Sequence, residues 1–264
     1  MPHVPAEPNV SASNASKTDA DEAPGRNRWA GVPPDDRKAA RRDLLLDAAL
    51  ELLGTEGWKA TTVRGVCQAA RLNPRYFYES FEDLDALIVA LYDRLVRELA
   101  EQLRTALAAA GDDRRAQVRA VVESTVRFVD DDRRRGRVLY VEALGNEALN
   151  RRRIETSLAV VEAVERDAAE RHGPVPHGGP TGRLGAAVLV GGFSEALVAW
   201  LDGRLKMPRR RLIEEATELF LAVGEATAAL ARRAGAGGGA DRDAGRGSAR
   251  QRDRNEEGPT DADR

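Results

Sequence analysis

Residues 42–87 read RDLLLDAALELLGTEGWKATTVRGVCQAARLNPRYFYESFEDLDAL, and the spacing of apolar and turn-forming residues in this stretch decides the fold. Leu45, Ala49, Leu52 and Leu53 recur at helical spacing, which predicts a first helix over about 37–54 with one buried face. Thr55-Glu56-Gly57 ends it. Thr61 or Thr62 is a suitable N-cap for a second, short helix through Val63, Val66, Cys67 and Ala70. Arg71-Leu72-Asn73 forms a turn. Asn73 before Pro74 then supplies an N-cap with proline at the first helical position, opening a third helix through Arg75, Tyr76, Phe77 and Tyr78. Two short helices joined by a three-residue turn are the outline of a helix-turn-helix.

Downstream, Leu84, Leu87, Ile88, Leu91, Leu95 and Leu99 form the buried stripe of a long fourth helix over about 83–109. Further helices are predicted at about 112–130, 135–145, 148–171, 182–204 and 209–233, separated by breakers such as Gly173-Pro174 and Met207-Pro208. Hydrophobic residues make up 42% of the chain, mostly Ala, Leu and Val, and Arg and Glu fill much of the rest. That balance favours helices, so the expected fold class is all-α, with a three-helix N-terminal domain and a helical C-terminal domain. Residues 1–36 hold six of the twelve prolines, and residues 235–264 contain no Val, Ile, Leu or aromatic residue. Neither segment has apolar surface enough to anchor it, so both are expected to be disordered. The expected organisation is 1–36 extension, 37–82 helix-turn-helix domain, 83–234 helical effector-binding and dimerisation domain, and 235–264 tail.

One cysteine, Cys67, excludes an internal disulfide, and three scattered histidines offer no metal-ligand spacing, so neither metal nor cofactor is expected. No Ser-His-Asp set, phosphate-cradling glycine loop or nucleotide fingerprint is present; Gly237-Gly238-Gly239 has no strand before it. The chain therefore does not read as an enzyme. There is no basic region followed by an apolar run, and no window approaching eighteen apolar residues, so a cytoplasmic protein without a membrane span is expected. Net charge is −2, yet residues 37–81 carry eight Lys or Arg against five Asp or Glu, a local cationic excess of the kind that nucleic acid selects.

The stretch 42–87 resembles the DNA-binding domain of the TetR family of transcriptional regulators. The resemblance rests on Ala48-Ala49, Gly57-Trp58, Thr61-Thr62-Val63, Tyr78 and Phe81 taken together. It implies a double-stranded DNA partner, with Thr62 on phosphate, Arg64 on a base or phosphate, Arg75 and Tyr76 at base edges, and Tyr78 on phosphate. Asn73, Arg41 and Arg42 belong to the same DNA-facing set. The chemistry agrees, since an arginine fork matches guanine O6 and N7 while hydroxyls and helix N-termini suit phosphate. Phe77 and Phe81 are expected in the core, as is Cys67. Two positions depart from the family pattern: Arg71 stands where the turn usually has Gly, and Leu84 where a phosphate-contacting Lys is usual. Arg37, Lys38, Arg41 and Arg42 can supply the missing charge.

The resemblance further implies a homodimer on a palindromic operator, a repressor's role, and release by a small-molecule effector of unknown identity. Phe128, Tyr140, Phe193 and Trp200 are candidates to line the effector pocket, with Glu142 or Glu195 as a polar anchor. The dimer candidates are Ala186, Ala187, Leu189, Val190, Gly191, Gly192, Leu197 and Leu201 in one helix, and Leu212, Ala216, Leu219, Phe220 and Val223 in the next. The competing reading is a helical ligand-binding or scaffolding bundle that has lost DNA binding.

Overall fold

The computed structural model describes residues 33–172 and 180–256, and among these the chain is helical with no strand. The elements are α1 (Pro34–Thr55), a 3₁₀ turn (Trp58–Ala60), α2 (Val63–Ala70), α3 (Pro74–Tyr78), α4 (Leu84–Ala110), α5 (Arg114–Asp131) and α6 (Arg133–Gly136). A π-helical turn (Arg137–Val141) and a 3₁₀ turn (Glu142–Leu144) follow, then α7 (Glu147–His172), α8 (Pro180–Leu201) and α9 (Arg209–Glu256). Where the sequence predicts one helix over 135–145, the structure breaks the backbone into three short pieces. The extension at 1–32, the turn at 173–179 and residues 257–264 lie outside the described residues. Over 235–256, where the sequence reading expects a tail, the backbone of α9 continues as helix to Glu256; the first proline after Pro208 is Pro259.

One apolar core runs through the molecule. Leu45, Leu46, Ala49 and Leu53 of α1, Val66 and Cys67 of α2, Phe77, and Leu87, Ile88, Leu91 and Leu95 of α4 are buried together, and they continue into Val122, Val126, Phe128 and Val129 of α5. Each of these faces follows the i, i+3, i+4 rule, so burial is a direct consequence of sequence periodicity. Caps set the starts: Asp83 Oδ1 accepts from Ala86 N at 2.7 Å, and Asp113 Oδ1 accepts from Arg115 N at 2.9 Å. Long-range ion pairs tie α4 to its neighbours, Arg94 to Asp47 of α1 at 2.7 Å and Arg152 of α7 to Asp93 at 2.6 Å.

α8 is apolar along most of its length. Among the described residues it is the one helix long and apolar enough to cross a membrane, by length and composition only. Counting strictly apolar letters misses it because Gly185, Gly191, Gly192, Ser194 and the charged Glu195 interrupt the run. Its Gly185, Ala186, Leu197 and Trp200 are buried against other helices, whereas Leu184 and Val188 are exposed.

The end of α1 is locked to the segment 133–144. A Cβ on Gly54 would come within 2.9 Å of the Arg134 Cα, so only glycine lets α1 approach this backbone. Gly136 in turn sits against Leu201 of α8, where a Cβ would meet Leu201 Cδ1 at 2.6 Å. Gly57 has φ +84°, a conformation that suits glycine, and turns the chain so that the next amide, Trp58 N, donates to Glu142 Oε2 at 2.8 Å. Glu142 Oε1 accepts from Arg137 Nε at 2.8 Å, and Arg137 Nη1 donates to the Thr55 carbonyl at 2.7 Å. Arg134 adds bonds to Glu51 and Asp132, the latter holding the Asp132 carboxyl below its ordinary range.

The Glu142 side chain is only 12% exposed, and hydrogen bonds to a charged group contribute more than neutral ones. Glu142→Ala removes two of them and leaves the Trp58 amide unpaired. We expect it to destabilise the chain by about 2 kcal/mol, read as a lower midpoint in chemical denaturation; an unchanged midpoint would show that this contact does not hold α1 in place.

Candidate nucleic-acid interface

The second and third helices present a small polar face above a buried aromatic layer. Thr62 is the N-cap of α2: its Oγ1 accepts from Gly65 N at 3.1 Å. Thr61, the other candidate cap, is buried instead and donates its hydroxyl to the Gly57 carbonyl at 2.9 Å, tying the turn before α2. Val66, Cys67 and Ala70 face inward, leaving Arg64 exposed and without an ion pair among the described residues. Burial pushes the Cys67 thiol pKa up, in keeping with a core residue.

Arg71 closes α2 with φ 54° and ψ 43°, the left-handed conformation, and the Leu72 amide donates back to the Cys67 carbonyl at 2.9 Å. This is the position where the family pattern has glycine, and the reason is now plain: the turn needs positive φ, which a side chain disfavours by about 1 kcal/mol. Asn73 Oδ1 then accepts from Arg75 N at 2.9 Å, and Pro74 occupies the first position of α3. Asn73 thus shapes the helix start, and both it and Arg75 are exposed.

Phe77 of α3 is fully buried and Phe81, three residues past its end, is 5% exposed, their rings 5.9 Å apart. Tyr78 is 62% exposed and meets Phe77 edge to face at 5.3 Å, so its ring is braced while its hydroxyl is free to reach outward. Arg75 has 82% of its side chain exposed and bonds Glu79 Oε1 through Nε at 2.9 Å.

Tyr76, expected at a base edge, meets a side chain of α1. It is half-buried, with the Arg41 guanidinium 4.4 Å from its ring centroid. Arg42 lies 4.7 Å over Phe81 in the same way. Arg41 therefore braces α3, and Arg42 the turn after it, against α1 by cation–π stacking, a role that helical spacing in either segment alone does not reveal. Glu79, between Arg41 and Arg75, was passed over in the sequence. Its i, i+4 spacing from Arg75 was visible there, but its approach to Arg41 required the fold.

The proposed effector residues all belong to the core or pack on it. Phe128 is 1% exposed, with the Arg135 guanidinium 4.7 Å over its ring. Trp200 donates Nε1–H to the Met207 carbonyl at 2.7 Å, and Phe193 packs edge to face on Phe220 at 5.2 Å. Burial pushes the Tyr140 phenol pKa well above its usual range, and Tyr92 beside it adds to the shift. Glu142, suggested as an anchor, has both oxygens engaged by Arg137 and Trp58 N, and Glu195 is exposed on α8. The described residues contain no cluster of potential metal ligands.

Residues 45–91 match the family model of bacterial regulatory proteins of the tetR family. Solved structures share the overall fold. A transcriptional regulator from Pseudomonas aeruginosa PAO1 is 20% identical with a TM-score of 0.60, covering 78% of this chain and 97% of its own. The fatty acid degradation regulator FadR from Bacillus halodurans is 16% identical with a TM-score of 0.59, covering 69% and 94%. A FadR from Bacillus subtilis, solved with stearoyl-CoA, is 15% identical with a TM-score of 0.56, covering 67% and 96%. At these identities the likeness is one of fold.

Replacing Arg71 by glycine relieves the left-handed strain, although glycine's greater freedom in the unfolded chain offsets part of the gain. Arg71→Gly should stabilise the protein by about 0.5–1 kcal/mol, seen as a raised melting temperature. A lowered melting temperature would show that the arginine side chain contributes more than its backbone costs.

Proposed function

We propose that this chain, whose residues 45–91 match the family model of bacterial regulatory proteins of the tetR family, works in the cytoplasm as a homodimeric DNA-binding repressor that a small-molecule effector releases from a palindromic operator. The observation that carries the reading is the division of labour on and just after α3: Phe77 and Phe81 are buried, and this turns Arg75 and Tyr78 outward from one rigid layer. Arg75 reads a base pair through its guanidinium fork. Thr62, the α2 N-terminus and Tyr78 hold phosphate, and Arg64 serves either base or phosphate. Arg41, Arg42 and Asn73 keep α3 in register. A two-fold dimer presents two such helices about 34–36 Å apart, the repeat of the major groove.

The dimer surface proposed is the outward stripe of α8 and α9. Leu184 and Val188 are exposed, nothing lies within 4 Å of a Cβ built on Gly191 or Gly192, and Leu219 and Leu230 are exposed on α9. Ala186, Leu197, Leu212 and Ala216, also candidates from the sequence, are buried within the chain. Exposed leucine and valine beside glycines suit close helix approach across a two-fold axis. Val188→Arg should convert the dimer to a monomer in sedimentation at micromolar concentration while leaving the helical signal intact. Wild type sedimenting at the chain mass of 28.6 kDa would remove the dimer from the proposal.

The effector would enter the helical body around Phe128, Tyr140, Phe193 and Trp200. It would act by favouring a dimer whose recognition helices no longer match the groove spacing. Two fold neighbours bear names concerned with fatty acid degradation or stearoyl-CoA, so a long-chain acyl-CoA is the first effector to test.

The decisive experiment selects a preferred duplex from a random pool, then measures variants on that duplex and on a scrambled one at one salt concentration. Arg75→Ala should cost about 1–3 kcal/mol on the selected duplex and relax preference at one base pair. Tyr78→Phe should weaken both duplexes about equally. Wild-type binding by both folded variants would end the assignment of α3 as the reading helix.

A further inference from the structure

Beyond the residues that touch DNA, the reading face contains an acid whose position is unusual for a surface that must approach phosphate. Glu79 follows α3 directly. Its Oε1 accepts from Arg75 Nε at 2.9 Å, and its Oε2 lies 3.7 Å from Arg41 Nη2. Arg41 is 16% exposed and stacked on Tyr76, so the far side of this carboxylate is anchored to α1. The near side holds the most exposed member of the cluster, Arg75, at 82%. We infer that Glu79 is a positioning residue that sets base specificity: anchored by Arg41, it holds Arg75 by Nε and aims the two terminal nitrogens of the guanidinium at a guanine.

The chemistry follows from the arginine fork. A guanidinium has five N–H donors in one plane. Engaging Nε from the side leaves the Nη1 and Nη2 edge free, and that edge matches the O6 and N7 acceptors of guanine. An arginine this exposed, if untethered, would sample many rotamers and bind any phosphate within reach, a contact that carries no sequence information. Glu79 opposes that alternative twice. When Arg75 leaves for a phosphate, Glu79 loses its closer partner, and its charge then faces the DNA backbone with only Arg41 to balance it. Binding in the wrong register is thereby weakened more than binding in the right one, which is how repulsion creates specificity.

This inference rests on the proposal that α3 reads DNA, and the test separates the two. Wild type, Glu79→Gln, Glu79→Asp and Glu82→Gln are measured on the selected duplex and on a scrambled one at fixed salt, with melting temperatures as the check of folding. Glu82 is an exposed acid that makes no ion pair among the described residues, so it reports the loss of one charge alone. Glu79→Gln should bind scrambled DNA several-fold more tightly and lose about tenfold in the ratio of selected to scrambled affinity, concentrated at the base pair that Arg75 reads. Glu79→Asp, too short to reach both arginines, should fall in between, and it serves as the second variant if the glutamine form is unstable. Glu82→Gln should raise both affinities alike and leave the ratio in place. In an Arg75→Ala background, Glu79→Gln should change the ratio no further. A folded Glu79→Gln or Glu79→Asp protein with the wild-type ratio overturns the inference while leaving the DNA-reading proposal intact. A wild type that prefers no sequence defeats both.

Discussion

A helix of five residues has no stability of its own in water, because nucleation costs more than one turn of hydrogen bonds returns. α3 is such a helix, and it exists here because Phe77 is fully buried and Phe81 almost so, within a core shared with α1, α2 and α4. Every exposed group on that surface inherits its direction from this burial. Arg75 and Tyr78 point outward because Phe77 points inward, and Tyr78 is further steadied by its edge contact with Phe77. The two cation–π contacts from α1, Arg41 on Tyr76 and Arg42 on Phe81, act on the same layer from the outside. Removing the aromatic layer would therefore scatter the whole polar face rather than one contact.

The same logic of rigid layers extends toward the body. α1 is shared: its middle turns pack on α2 and α4, while its last turn abuts Arg134 and is tied by Arg137 and Glu142. On the other side of this short segment, Gly136 touches Leu201 at the end of α8. A close-packed interior transmits displacement because it has no slack to absorb it. The π-helical turn at Arg137–Val141 lies within this path, and Tyr140, a proposed effector residue, belongs to that turn. The end of α1, the π-helical turn and the end of α8 are thus packed as one contiguous unit.

The all-α fold and the order of most helices were legible in the sequence because they repeat their apolar residues at a fixed spacing and several carry their own caps. Thr62, Asn73 and Asp83 do as caps what their side-chain chemistry requires. The inward fate of Phe77 and Phe81 was also legible, since four residues along a helix return to the same face. Tyr76 was not, because the group that covers it, Arg41, lies thirty-five positions earlier and reaches it only once α1 and α3 are packed. The partners of Glu142 were not legible for the same reason. Its partners, the Trp58 amide and Arg137, come from a distant turn and from the π-helical segment.

What the sequence by itself determined is therefore what local periodicity and capping carry: most of the helices, the turn over Arg71–Asn73, the buried aromatic pair and the outward Arg75 and Tyr78. What only the tertiary structure decided is which polar groups are already committed. Arg41 and Arg42 are spent on aromatic faces, Glu79 joins two arginines, Glu142 closes a junction, and the exposed stripe of α8 falls on Leu184 and Val188 rather than on Ala186 and Leu197. The physical reason is range. Backbone hydrogen bonds and helical faces are set within four residues of chain, whereas charge pairing and burial depend on whichever side chains the folded core brings within a few ångströms, wherever they lie in the sequence.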